Sequence, residues 1–182
     1  MNVFEAIVNR RSVRSYTGEP VTDDELDRLL TAANCAPIAS ARFHSKHLTV
    51  IKDKALLSEI EEAFGRYSGR DGAHPLYNAP LFVLVSVQMA DPLLPHDDWL
   101  NVLCSDAAII VQNMALEAVE LGLGSCHIWG AVRAINAEPE LIGKLGLPEG
   151  FTPVCGAIFG KSETPYEERD LRRGRFGVNT IG

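Results

Sequence analysis

Asn101–Gly130 reads NVLCSDAAIIVQNMALEAVELGLGSCHIWG. Over residues 101–121, Asp106, Asn113, Glu117 and Glu120 recur at helical spacing and make one narrow polar stripe. Val102, Leu103, Ala107, Ile110, Val111, Met114, Ala115, Leu116, Ala118 and Leu121 fill most of the remaining circumference. A helix apolar on most sides belongs inside a domain, packed on several neighbours. It spans about 30 Å, the width of a small domain. A membrane span is the rival reading, and Asp106, Gln112, Glu117 and Glu120 break it. Gly122 and Gly124 stop the helix. The run that follows, Ser125 to Gly130, is too apolar for an ordinary surface loop. A buried helix that delivers such a segment can build the wall of a cofactor site.

On either side of this stretch, strands alternate with helices. Leu81–Val87 (LFVLVSV) is a nearly continuous apolar strand and reads as central. His47–Ile51 and Thr152–Phe159 read as further strands. Val3, Phe4, Ile7 and Val8 predict a short amphipathic helix. Thr22-Asp23-Asp24-Glu25 is a capping box that opens a helix with Leu26, Leu29, Leu30 and Ala33 inward. Asp53–Phe64 reads as a helix, and Pro139–Leu145 as a short one. Residues 36–46, 65–79 and 90–98 read as loops, the second of them mobile and on the surface. The alternation predicts an α/β or α+β class with few strands for 182 residues. Repeats are absent, and 1–182 reads as a single domain.

A formal net charge of −7 argues against nucleic acid or an anionic membrane as partner. Yet Arg10, Arg11 and Arg14 cluster, as do Arg172, Arg173 and Arg175, which suggests a local anion. The stretch Arg10-Arg11-Ser12-Val13-Arg14 offers guanidinium forks and a hydroxyl, the groups that match phosphate oxygens. The two clusters read equally as solvated basic patches. Cys35, Cys104, Cys126 and Cys155 lie in apolar surroundings without a CxxC, which predicts buried, reduced thiols and a cytoplasmic protein. The scattered histidines make no metal site.

No GxSxG, P-loop or HExxH is present. Gly122-Leu-Gly124-Ser-Cys-His127 lacks the last glycine of a dinucleotide fingerprint and follows a helix, where that fingerprint follows a strand. No nucleophile–base pair stands out, so no catalytic residue is assigned. Arginines of ligand size without a catalytic constellation point to a cofactor that carries the reaction.

Five features in order make the chain resemble the FMN-dependent nitroreductase family in a short form: the RRSVRSY run from Arg10 to Tyr16; Ala36-Pro37; Asn78-Ala79-Pro80 before an apolar strand; Gly122-Leu-Gly124-Ser-Cys126 before Ile128 and Gly130; and Leu145-Gly-Leu-Pro148 with a strand ending Phe159-Gly160. The resemblance implies an α+β fold, a central mixed β-sheet flanked by helices, and a homodimer with two FMN at the subunit interface. It implies ping-pong transfer of hydride from NAD(P)H through FMN to a nitroaromatic, quinone or similar acceptor. Arg10, Arg11 and Ser12 would hold the phosphate and ribityl end. Arg14 would lie against the pyrimidine edge, where positive charge favours the anionic reduced ring. Pro37, Ile38 and Ala39 would line the dimethylbenzene and ribityl side. His127, Ile128, Trp129 and Gly130 would pass the flavin face, and Arg173 and Arg175 would supply a carboxy-terminal phosphate pair.

In one place the chain departs from that pattern. Ile38 and Ala41 stand where members usually carry polar residues that touch the flavin edge. This motivates a second reading, a relative that modifies its flavin or reduces one specific metabolite. A third is a non-catalytic flavin- or nucleotide-binding protein. Taken singly, Ile128 and Trp129 also read as plain core, His127 as an interior histidine and Ser12 as a turn cap.

Overall fold

The computed structural model describes residues 1–89, 96–162 and 174–182. Among these residues the α-helices and β-strands follow in the order α1 Val3–Asn9, α2 Asp23–Asn34, β1 Lys46–Ile51, α3 Lys54–Ser68, β2 Leu81–Gln88, α4 His96–Glu120, β3 Gly124–His127, α5 Gly130–Ala137, α6 Pro139–Lys144 and β4 Phe151–Gly160. The class is α+β, as expected. The sheet has the order β1-β2-β4-β3, and every pairing of these strands is antiparallel. The expected mixed character is therefore absent from the strands themselves. It enters only through an isolated parallel bridge, Ser12 to Ser125.

Alternation along β2 divides the core into two layers. Leu81, Val83, Val85 and Val87 face α4 and α2 and meet Leu103, Ala107, Met114, Leu29 and Ala36. Phe82 and Leu84 face the other way and meet Ile60, Ala131, Ile135 and Ile158. A sheet buried on both faces takes apolar side chains on both, which is why LFVLVSV does not alternate; Ser86, also buried, is its one polar position. Pro153, which has no N–H for the ladder, sits where the β2–β4 register shifts, between Val85 and Ser86.

Helix α4 is the predicted buried helix. It begins at His96, five residues before the expected start at Asn101, so 96–98 are helical and not loop. The rest of the expected loop, 90–95, lies outside the described residues. The length and composition of α4 would suffice to cross a membrane. Here it packs on β2, β3, β4 and α2. The helix ends before Gly122, whose φ of +70° suits glycine.

Other boundaries moved for local reasons. Asp53 caps α3 by accepting from Leu56 N–H at 2.7 Å, and α3 runs on to Ser68, where left-handed Gly69 ends it. The expected mobile loop 65–79 is accordingly shorter and is tied down. Leu76 is buried, and its N–H donates to Glu61 Oε1 at 3.1 Å. Helix α5 was not foreseen: its eight residues begin at Gly130 with no side-chain cap to mark the start. The capping box at Thr22 is present, with Leu29 and Ala33 buried beneath it. All four cysteines are free, but Cys35 is exposed and only Cys126 fully buried, against the expectation of four buried thiols.

Candidate functional site

The arginine segment is positioned by both ends of its own local structure. Helix α1 stops at Asn9, and Arg10 N–H donates to Ala6 carbonyl at 2.9 Å. From there the chain runs along the edge of β3. Ser12 bridges Ser125, and Val13 N–H donates to Ser125 carbonyl at 2.9 Å. Tyr16 bridges Ser162, and its buried hydroxyl donates to Val13 carbonyl at 3.1 Å. Asn78 Nδ2 donates to Tyr16 carbonyl at 3.2 Å. The segment is thus an extended ribbon added to the sheet edge, with Val13 and Tyr16 inward. Arg10 and Arg11 are half-buried; Ser12 and Arg14 are exposed.

This placement brings together residues that the sequence separates by more than a hundred positions. Burial pushes the Cys126 thiol up, and Arg14, the Ser12 hydroxyl and Arg10 partly offset it. His127 is exposed at the end of β3 and not an interior histidine, yet desolvation by the surrounding protein holds its imidazole below its ordinary value, and the Arg10 charge adds to the effect. Arg10, Ser12 and Arg14 therefore surround the end of β3. Beyond it, Ile128 N–H donates to Gly156 carbonyl at 2.9 Å and its side chain joins the core. Trp129, by contrast, is 60% exposed. It precedes α5 with no side-chain cap on the helix. The first N–H groups of a helix have no partner within it, so this end is electropositive. Gly130 is required for packing: a Cβ there would lie 2.5 Å from Phe64 Cε2.

Pro37, Ile38 and Ala39 are positioned by different elements. Ala36 and Ile38 pack in the α4 layer, on the opposite side of the sheet from Val13, Cys126 and Ile128. Ala39 N–H donates to Asp106 Oδ1 at 3.1 Å. Asp106 Oδ2 lies 2.6 Å from Lys46 Nζ, and both side chains are 6% exposed. Between Ala39 and Lys46 the chain makes two short 3₁₀ turns. Ser40 and Ala41 both have positive φ, 53° and 54°. Left-handed backbone at non-glycine residues persists only where the surroundings hold it. Sequence reasoning placed Asp106 in a polar stripe and missed this tether. The usable signal was one acid amid buried Leu103, Ala107 and Ile110.

Within one chain, then, Arg10–Arg14 and His127–Gly130 form one group and Pro37–Ala39 another. Arg175 is exposed in the terminal segment, and Arg173 lies outside the described residues.

The sequence model of the family described as "Nitroreductase family" matches residues 7–67 and 71–161. A protein of Archaeoglobus fulgidus, provisionally named NADH dehydrogenase/NAD(P)H nitroreductase, is 30% identical over 93% of this chain and 91% of its own. An FMN reductase [NAD(P)H] of Bacillus subtilis is 31% identical over 87% of this chain, which spans 65% of that protein. Among solved structures, a nitroreductase with bound FMN from Desulfitobacterium hafniense superposes with a TM-score of 0.83 at 22% identity, covering all of both chains. One from Bacteroides fragilis, also with bound FMN, gives 0.79 at 25% identity over 99% of this chain and all of that one.

Proposed function

The chain belongs to the nitroreductase family, and from that premise we propose that it is an FMN-dependent oxidoreductase that takes hydride from NAD(P)H and delivers it to a nitroaromatic, a quinone or a similar small acceptor. One observation carries the reading. The ribbon holding Arg10, Arg11, Ser12 and Arg14 is stitched to β3 beside His127 and the uncapped start of α5. Its donor set suits a ligand that is a phosphate at one end and an electron-rich ring at the other.

Arg10, Arg11 and Ser12 hold the phosphate and ribityl end through charge-assisted hydrogen bonds. Arg14 lies against the pyrimidine edge. Trp129 and Gly130 present backbone N–H groups to the ring face, since the N–H of Ile128 is already engaged by Gly156. His127 borders the same edge. Pro37, Ile38 and Ala39 form the second wall, and Arg173 and Arg175 complete the phosphate site. FMN held there would supply the hydride-transfer chemistry between NAD(P)H and the acceptor, and no side chain is assigned as acid or base.

A homodimer completes the site. The two groups of site residues are tied to opposite layers of one chain, and a second copy supplies the wall that the first cannot bring round. Val3, Phe4 and Ile7 on α1, and Phe176, Val178 and Ile181 in the terminal segment, are exposed apolar side chains available to that interface. We read 1–182 as one domain, its free cysteines suited to the reducing cytoplasm. The acidic net charge speaks against nucleic acid or a membrane as partner.

Flavin binding followed by NADH- or NADPH-dependent turnover tests the proposal. The protein should take up FMN and bind riboflavin at least about tenfold more weakly, because charged hydrogen bonds to the phosphate are lost. With FMN it should oxidise NADH or NADPH in the presence of a nitroaromatic and return the FMN intact. Equal affinity for riboflavin would sink the phosphate assignment. Tight FMN with no turnover, or FMN consumed, would sink the reductase assignment.

A further inference from the structure

We propose that Asp106 is the positioning residue for the second wall of the flavin site: its carboxylate fixes the Pro37–Ala39 segment in the shape that meets the ring. The inference rests on the flavin reading above. One oxygen, Oδ1, accepts from Ala39 N–H at 3.1 Å. The other, Oδ2, pairs with Lys46 at 2.6 Å. Lys46 Nζ also donates to Ser45 Oγ at 2.9 Å, and Ser45 Oγ donates to Arg42 carbonyl at 2.8 Å. A single carboxylate thus gathers both ends of the 39–46 turn onto the side of α4.

Three observations separate this from ordinary core packing. The first is cost. A buried ion pair contributes little net stability compared with apolar residues of similar size, and Asp106 stands beside Leu103, Ala107 and Ile110, where an apolar side chain would pack. The second is what lies between the two tethers. Ser40 and Ala41 hold left-handed backbone without glycine, a conformation that relaxes unless both ends are pinned. The third is the outer side of the turn. Arg42 and Lys46 lie over the Trp99 ring at 5.1 and 5.8 Å, and Trp99 Nε1 donates to Gln88 carbonyl at 3.3 Å. The turn is therefore held from α4 and from the sheet end at once. Ile38 and Ala41 bring no polar side chain to a ligand, so this wall recognises the ring by shape and backbone alone. That makes its geometry, set by Asp106, the determinant of fit.

Two double variants isolate the hydrogen bond to Ala39. Asp106→Asn/Lys46→Met and Asp106→Leu/Lys46→Met both remove the ion pair, but only the leucine variant removes the acceptor for Ala39 N–H. Both are melted without flavin, then titrated with FMN and with riboflavin by flavin fluorescence. The leucine variant should bind each flavin about fivefold or more weakly than the asparagine variant, as loss of one buried hydrogen bond implies. The loss should be equal for FMN and riboflavin, because the wall meets the ring and not the phosphate. Equal FMN binding by the two variants, with wild type binding FMN, overturns the inference. So does a loss confined to FMN. A wild-type protein that takes up neither flavin sinks the flavin reading and this inference with it. Amide exchange on the flavin-free wild type requires no variant to fold. The Ala39 amide should be protected, and exchange at the rate of an unstructured peptide overturns the tether.

Discussion

Val13 is locked against β3 twice: its N–H donates to Ser125 carbonyl at 2.9 Å, and its side chain fills the space that a Cβ on Gly124 would need. That Cβ would lie 2.9 Å from Val13 Cγ1, closer than real contacts allow. Gly124 is therefore where the arginine ribbon approaches the sheet edge, and the absence of a side chain sets how close Arg10–Arg14 can come.

Gly124→Ala should accordingly cost about 1–3 kcal/mol of stability by overpacking and weaken FMN at the same time, by pushing the ribbon outward. Val13→Ala alone leaves a small void. The double variant should recover part of both losses, because the added methyl enters the space just vacated, with a coupling of about 0.5–3 kcal/mol. Urea melts and flavin titrations on the four proteins check this. Strictly additive effects would mean that Val13 and Gly124 do not share the space.

How much of this was legible beforehand depended on whether the signal was local. Helix α4 was legible because its apolar circumference and its stop at Gly122 both lie within the stretch itself. The capping box at Thr22 was legible for the same reason. The start of α4 was misjudged because His96–Trp99 carry charge and no apolar period. Helix α5 was missed because no side-chain cap marks its start, and Gly130, its first residue, is glycine to let Phe64 approach. The arginine ribbon was found by composition, but its docking on Ser125 depends on contact across the fold, which no spacing encodes. Asp106 shows the same limit: its helical neighbours are visible in the sequence, but Ala39 and Lys46 are not.

The charge relation between Arg10 and His127 can be read by titration. Desolvation by the surrounding protein, then Arg10, hold the His127 pKa below the ordinary imidazole value of 6.5. The unfolded chain then takes up the proton first. His127 contributes stability that is full above about 6.5 and is lost as pH falls through that value toward the lower folded pKa. Arg10→Gln should raise the His127 pKa partway toward its ordinary value, leaving the desolvation effect. Proton NMR of the ring in both proteins measures it. An unchanged pKa would mean that Arg10 does not face His127.

Arg10 and Arg14 are assigned to opposite ends of the flavin, so their variants should differ in kind. Arg10→Ala should weaken FMN by about 1.5–3 kcal/mol, the worth of a charged hydrogen bond, and leave riboflavin affinity nearly unchanged. Arg14→Ala should lower the two-electron potential of the bound flavin. A loss of about 1.4 kcal/mol in stabilising the reduced ring corresponds to about 30 mV. Binding titrations and redox equilibration separate the two. If Arg14→Ala leaves the potential in place, the pyrimidine-edge assignment is wrong.

Flavin binding and dimerisation should be coupled through the apolar side chains that a single chain leaves in water. Phe4 is 67% exposed on α1, where no residue is buried, and Phe176 is 84% exposed in the terminal segment. In the homodimer proposed above, these large apolar side chains would be covered by the partner. An isologous dimer is the simplest closed arrangement that covers such a surface. Helix α1 leads directly into Arg10, so an interface that orders α1 also steadies the arginine ribbon. Phe4→Ser and Phe176→Ser should each weaken the dimer by about 2 kcal/mol or more, if the aromatic ring is an anchor. That amounts to roughly thirtyfold in the dissociation constant. Flavin content should fall as the monomer fraction rises. Sedimentation across a range of protein concentrations, with flavin absorbance recorded on the same boundary, follows both quantities together. A variant that is monomeric throughout yet retains FMN as tightly as the unaltered protein would break the coupling, and would place the whole flavin site within one chain.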